Sequence, residues 1–140
     1  MCIRDRAAFL RVKLQHLAAE TLKRKEIACA YARGICNPLV SLPIAPSSSL
    51  ADLDHHVFHL FVVRVKNRPA FQAHLKADGI DSLIHYPIPP HQQQAYAAFS
   101  GQSLPLTEAI HREVVSLPMG QTMTKNQVDA VIKSCNTFEE

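Results

Sequence analysis

A chain of 140 residues with 47% hydrophobic and 19% charged residues has the apolar content for one modest core and the balance of a globular domain. Its net charge of +3 and aromatic content of 6% supply neither the basic field nor the stacking surfaces of a nucleic-acid binder. No apolar run reaches the length of a bilayer crossing, no signal-peptide pattern opens the chain, and the four cysteines lack CxxC or disulfide-framework spacing, so the expected compartment is the cytoplasm.

In chain order, Met1–Arg6 runs into Ala7-Ala8-Phe9-Leu10 with no cap or turn signal, so residues 1–6 read as a non-native leader placed on a helix already under way. From Arg6 to Arg33 there is no proline or glycine. Leu10, Leu14 and Leu17 recur at helical spacing, Gly34 follows as a terminator and Pro38 forbids continuation. One continuous helix is expected, about 40 Å long at the standard rise, long enough to connect two bodies. Between Arg4 and Arg33, eight basic residues face three acidic ones. No aromatic side chains interleave the charge, so it reads as a solvated face. Cys29 and Cys36, seven apart, are expected to pack on one helix face.

Asn37–Asp54 is a connector rich in proline and serine, with room for a short edge strand at 40–44. His56–Val65 is apolar on both faces and predicts a strand in the middle of a covered sheet. His55, His56 and His59 invite a metal reading, but no third ligand stands at a recognised spacing, so no metal is expected. Asn67–Asp78 predicts a helix with Pro69 in its first turn and Gly79 at its end. Ile80–His85 is the next strand. It is parallel to the first, with a right-handed crossover, if the two are neighbours. Gln92–Phe99 predicts a short helix anchored by Tyr96 and Phe99. Leu104–Glu113 predicts another, followed by a buried strand at 114–117. Thr124 caps a last helix that turns Val128, Val131, Ile132 and Cys135 inward. The predicted architecture is α+β: a small sheet of three or four strands covered by helices, with a long leading helix.

The inventory of chemistry is short. There is no phosphate loop and no nucleophile elbow, and the seven lysines sit on helix faces or a strand end. The candidate site is His85-Tyr86-Pro87-Ile88-Pro89-Pro90-His91. Three prolines stiffen this segment and hold the residues before them extended, so it presents an imidazole and a phenol from a rigid loop. No catalytic residue is identified. On the residues alone, a stand-alone α+β module that binds a small ligand or nucleotide remains open beside a purely structural turn.

Four motifs occur in order: Ala7-Ala8-Phe9-Leu10-Arg11-Val12-Lys13-Leu14, His56-Val57-Phe58-His59-Leu60-Phe61-Val62-Val63-Arg64, Gly79-Ile80 leading to the 85–91 loop, and Leu117-Pro118-Met119. This series resembles the C-terminal part of the DegT/DnrJ/EryC1/StrS family from about Ala7 to Asn136. The resemblance implies an aspartate-aminotransferase-type (fold type I) architecture. Residues 7–36 would form an interdomain helix and 37–140 the small C-terminal domain, with the large cofactor domain absent. It implies a pyridoxal 5'-phosphate-dependent enzyme that converts a nucleotide-linked keto-sugar to an amino-sugar, with glutamate as the usual donor, commonly as a homodimer. No lysine here matches the Schiff-base position, so the portion is expected to be inactive alone. His85 and Tyr86 carry over as substrate-side contacts, with His59 as a further candidate and His91 as a brace of the loop.

Overall fold

A computed structural model describes residues 3–140. Part of the 1–6 leader therefore lies outside the described residues. Two strands, β1 (Phe61–Arg64) and β2 (Val114–Leu117), pair antiparallel with Phe61 opposite Leu117 and Arg64 opposite Val114. Single bridges extend the sheet on both sides, Ser41 to Arg64 outside β1 and Leu83 to Ser116 outside β2. The regular ladder thus has two strands where the sequence predicts three or four. The 40–44 and 80–85 segments each contribute one bridging residue. Leu83 lies across β2 from β1, so the 80–85 segment and β1 are not neighbours, the condition for their parallel pairing is not met, and a strand antiparallel to both separates them.

All four residues of β2 are buried, whereas β1 buries Phe61 and Val63 and leaves Arg64 exposed. The both-sides-covered pattern belongs to the later strand. The predicted strand at 56–65 is shortened because Phe58 adopts φ 46°, a left-handed conformation that ends extended pairing. Phe58 is fully buried, while Val57, expected on the core face, is 56% exposed.

Among the described residues there are five α-helices: α1 (Ile3–Leu14), α2 (Leu17–Gly34), α3 (Arg68–Ala77), α4 (Pro105–Glu113) and α5 (Lys125–Thr137). The leading helix is interrupted at Gln15–His16. There Gln15 and His16 donate to the carbonyls of Val12 and Lys13, the tighter i→i−3 pattern. Residues 4–14 are exposed throughout, and α2 becomes buried only from Lys25 onward. The first segment is thus exposed along its length, whereas the second is anchored in the core. Cys29 is buried on α2, but Cys36 lies beyond the helix end and is exposed, so the two do not share a helix face.

The remaining helices form where their caps require. The Asn67 side chain accepts from Ala70 N at the start of α3, and Gly79, at φ 76°, closes it. Thr124 and Gln127 make a reciprocal capping box on α5. Tyr31, Phe58, Phe61, Val63, Val65, Phe71, Leu75, Val115 and Cys135 occupy the centre of the core. Each such apolar side chain contributes roughly 1.5–3 kcal/mol on burial. Tyr31 packs edge-on against Phe61 at 5.2 Å and donates its hydroxyl to Pro118 O at 2.7 Å, tying α2 to the end of β2. Two short 3-10 stretches, Pro90–Gln92 and Gln94–Phe99, stand where one helix was predicted. Its expected anchors, Tyr96 and Phe99, are half exposed.

Candidate functional site

The loop at 85–91 leaves the sheet one residue pair beyond the Leu83–Ser116 bridge. There the buried Ser116 hydroxyl meets His85 Nδ1 at 2.9 Å. The His85–Tyr86 peptide bond is cis, and the two rings stand nearly perpendicular with centroids 5.6 Å apart. The Tyr86 carbonyl accepts from His111 Nδ1 at 2.6 Å. A carbonyl can only accept, so His111 carries its proton on Nδ1 in this contact. Further along, Gln93 Nε2 donates to Ile88 O at 3.1 Å. The loop is therefore held from β2 through the His85 ring, and its backbone is fixed from α4 and from its own continuation.

His91 is the buried end of the loop, 5% exposed, with Nε2 3.3 Å from Glu108 Oε1 on α4. The same oxygen accepts from Leu104 N at 3.0 Å. That backbone donor, together with the contact to His91, holds the Glu108 carboxyl below the usual carboxylate range. His91 Nδ1 is buried without a partner among the described residues. Helix α4, which supplies both Glu108 and His111, is itself fixed to the sheet. Arg64 donates through Nε and Nη2 to Glu113 at 3.0 and 2.7 Å, Val65 N donates to Glu113 O at 2.9 Å, and Arg68 Nη1 donates to His111 O at 2.6 Å.

The result is a supported, outward-facing wall. Tyr86 is 66% exposed, and Leu83 and Ile88 flank it with exposed apolar surface. His85 is half-buried against Ser116. Such a surface can bind and orient a ligand. Grooves elsewhere among the described residues include one of about 520 Å³ between 36–39 and 136–140 and another of about 360 Å³ between 78–81 and α5.

His59 is exposed and precedes β1, on the side of the register occupied by Leu117. The loop departs from Leu83 toward the Val114 end. His85–Tyr86 and His59 thus leave the sheet at opposite ends, and the fold brings the first two together without the third. His56 is engaged locally: its Nδ1 accepts from Phe58 N at 3.0 Å and its ring lies 4.0 Å from that of Phe58. Ser116, Glu108 and His111 were not singled out from sequence. Ser116 carried a signal, as the one hydroxyl in an otherwise apolar buried run.

The lysines bear on whether this portion could hold pyridoxal phosphate by itself. Lys25 alone is buried among them, and its Nζ is 3.3 Å from both the carbonyl and a carboxylate oxygen of Asp54. The other six are exposed. Among the described residues there is accordingly no buried, uncommitted lysine next to a carboxylate cradle. The residues present do not fit the cofactor on their own.

The model of the DegT/DnrJ/EryC1/StrS aminotransferase family matches residues 5–136. The dTDP-3-amino-3,6-dideoxy-alpha-D-galactopyranose transaminase of Aneurinibacillus thermoaerophilus is 46% identical over 132 residues, covering 94% of this chain and 35% of that protein. The dTDP-3-amino-3,4,6-trideoxy-alpha-D-glucose transaminase of Streptomyces venezuelae is 38% identical over 96% of this chain and 35% of its own length. Among solved structures, Streptomyces venezuelae DesV in complex with a ketimine intermediate superposes with a TM-score of 0.82 at 37% identity, covering 93% of this chain and 34% of that one. A Brucella abortus aminotransferase superposes with a TM-score of 0.75 at 30% identity, over 92% of this chain and 34% of that one. The chain thus spans about a third of the length of the relatives it matches. With the match extending over nearly all of its residues, the chain belongs to the DegT/DnrJ/EryC1/StrS aminotransferase family.

Proposed function

We propose that this chain is the C-terminal portion of a pyridoxal-phosphate-dependent aminotransferase that converts a nucleotide-linked keto-sugar to an amino-sugar, and that it is inactive alone. The observation that carries the reading is 46% identity to a dTDP-sugar transaminase across 94% of the chain, combined with coverage of only 35% of that relative. In this reading residues 7–36 are the interdomain segment, and 37–140 are the small domain of a fold type I enzyme, in which the two bridging segments continue a sheet of three or four strands. The complete enzyme is cytoplasmic and homodimeric and takes its amino group from glutamate. Among the described residues, no helix is long and apolar enough to cross a membrane.

His85 and Tyr86 form one wall of the substrate site and His59 is a further substrate-side candidate. Phe9, Leu10, Val12 and Leu14, four large apolar side chains within six positions of α1, are all exposed, which supports the division, since a concentration of exposed apolar surface marks a region that another body covers. When bound in the complete enzyme, the cofactor serves as an electron sink during amino transfer; the role of this portion is to bind and orient the sugar.

The test is to incubate the chain with pyridoxal phosphate, reduce with borohydride, map any pyridoxyl-lysine by mass spectrometry and assay transamination of a dTDP-keto-sugar with glutamate. The expected result is no single lysine labelled stoichiometrically and no turnover. Stoichiometric labelling of one lysine together with turnover would overturn the claim that the portion is inactive alone.

A further inference from the structure

Ser116 is a polar side chain in a strand whose four residues are all buried. Its backbone is fully used by the neighbouring segment: Ser116 N donates to Leu83 O at 2.7 Å and Ser116 O accepts from Leu83 N at 3.3 Å. Its hydroxyl, on a residue only 5% exposed, meets one side chain among the described residues, the His85 ring at Nδ1, 2.9 Å away.

Two arrangements of the proton are available. If Nδ1–H donated to the hydroxyl, the hydroxyl's own proton would be left buried without an acceptor. If the hydroxyl donates to Nδ1, its proton is satisfied and only spare lone pairs stay unused, the less costly omission. The second arrangement places the ring proton on Nε2. The adjacent histidine behaves oppositely, since His111 must hold its proton on Nδ1 to serve the Tyr86 carbonyl.

We infer that Ser116 is a positioning residue that locks His85 in the Nε2–H tautomer, so that the loop offers a neutral hydrogen-bond donor to an acceptor oxygen of its ligand. The ligand class follows from the donor. It is an oxygen acceptor, such as a diphosphate or sugar oxygen, and a cationic or purely donating group would be refused. This last step rests on the proposed aminotransferase reading, whereas the tautomer assignment does not.

The two parts are separable by experiment. The chain is labelled with ¹⁵N-histidine and the His85 tautomer is read from long-range ¹H–¹⁵N correlations at about pH 8.5, where free imidazole is neutral, in wild type, Ser116→Ala and Ser116→Thr. Fold is checked in each by circular dichroism. The wild type should show the Nε2–H form dominant. In Ser116→Ala the Nε2–H to Nδ1–H ratio should drop about fivefold to tenfold, the factor one neutral hydrogen bond supplies. Ser116→Thr, which keeps a hydroxyl, should retain the wild-type ratio. A ratio unchanged in Ser116→Ala, or an Nδ1–H wild type, overturns the positioning role. Titration of the wild-type chain with thymidine diphosphate should then shift the His85 Nε2 signal. Absence of that shift overturns the assignment of an oxygen-acceptor ligand and leaves the tautomer result to stand on its own measurement.

Discussion

Gly34 closes α2 where α5 crosses it, and replacing it by alanine sets two effects against each other. Alanine is the better helix former, by up to ~1 kcal/mol in a helix interior and less at a last turn. A Cβ at this position, however, would lie 2.8 Å from Ile132 Cδ1, 2.9 Å from Cγ2 and 3.3 Å from Cγ1. The Cδ1 methyl can swing aside. Cγ2 cannot, because the χ1 of a β-branched residue in a helix has one strongly preferred setting. Relief requires α2 and α5 to separate, and overpacking of this kind costs about 1–3 kcal/mol. Gly34→Ala should therefore destabilise by about 1–2 kcal/mol net. In an Ile132→Ala background the obstructing atoms are gone and the same change should be neutral or slightly stabilising. Urea unfolding followed by far-ultraviolet circular dichroism on the four proteins of this cycle yields the coupling energy, expected at about 1–3 kcal/mol. Additivity within ~0.5 kcal/mol would refute the steric argument.

Asn37 donates through Nδ2 to the carbonyls of Cys135 and Phe138 at 2.9 and 2.8 Å and accepts from Leu39 N at 2.9 Å. Asn37→Ala should cost about 2–3 kcal/mol and speed amide exchange in the last turn of α5; wild-type protection there would count against the role. Thr124→Ala should cost about 1 kcal/mol by removing half of the capping box, readable as a lower urea midpoint with an unchanged slope. Burial pushes the Cys135 thiol up to about 12 and raises the Tyr31 phenol as well. Both groups stay protonated in the fold at a pH where the unfolded chain ionises them. Their stabilisation is thus complete below the unfolded values near 8.5 and 10, and each group adds up to ~1.4 kcal/mol of loss per pH unit above them. Urea midpoints measured from pH 8 to 11 should fall, and Cys135→Ala should flatten the lower part of that fall. An identical slope in the variant would show that the thiol is not linked to folding.

What could be read from sequence follows the strength of the local signal. α3 and α5 were legible because Pro69, Gly79 and Thr124 are explicit punctuation, and Asn67 and Thr124 cap the two helices with their side chains. The break at Gln15–His16 was not, since it occurs without glycine or proline, in a stretch exposed to solvent. The shortened β1 was hidden in a run of apolar residues whose pattern gives no sign of a left-handed Phe58. Tyr96 and Phe99 looked like anchors because aromatic residues usually are, yet they belong to a stretch left uncovered. At the site, His85, Tyr86 and His91 were visible through the prolines around them. Their supports on β2 and α4 were not, because Ser116, Glu108 and His111 lie 17 to 31 residues away from the residues they hold.

The bonds that join the end of α2 to the end of α5 bear on how this body comes into being. Cys36 N donates to Asn136 Oδ1 at 2.8 Å, Asn136 Nδ2 donates back to Gly34 O at 2.7 Å, and Asn37 reaches Phe138 O; the partners are 100 to 102 residues apart. A ribosome releasing this chain exposes the interior face of α2 long before the helix that covers it exists. Closure of the core waits for residues 128–138, the arrangement in which loop-closure entropy is met late and unpaired apolar surface persists. Loss of residues 136–138 would therefore cost more than their own contacts, since it would remove the clasp that holds α2 and α5 together.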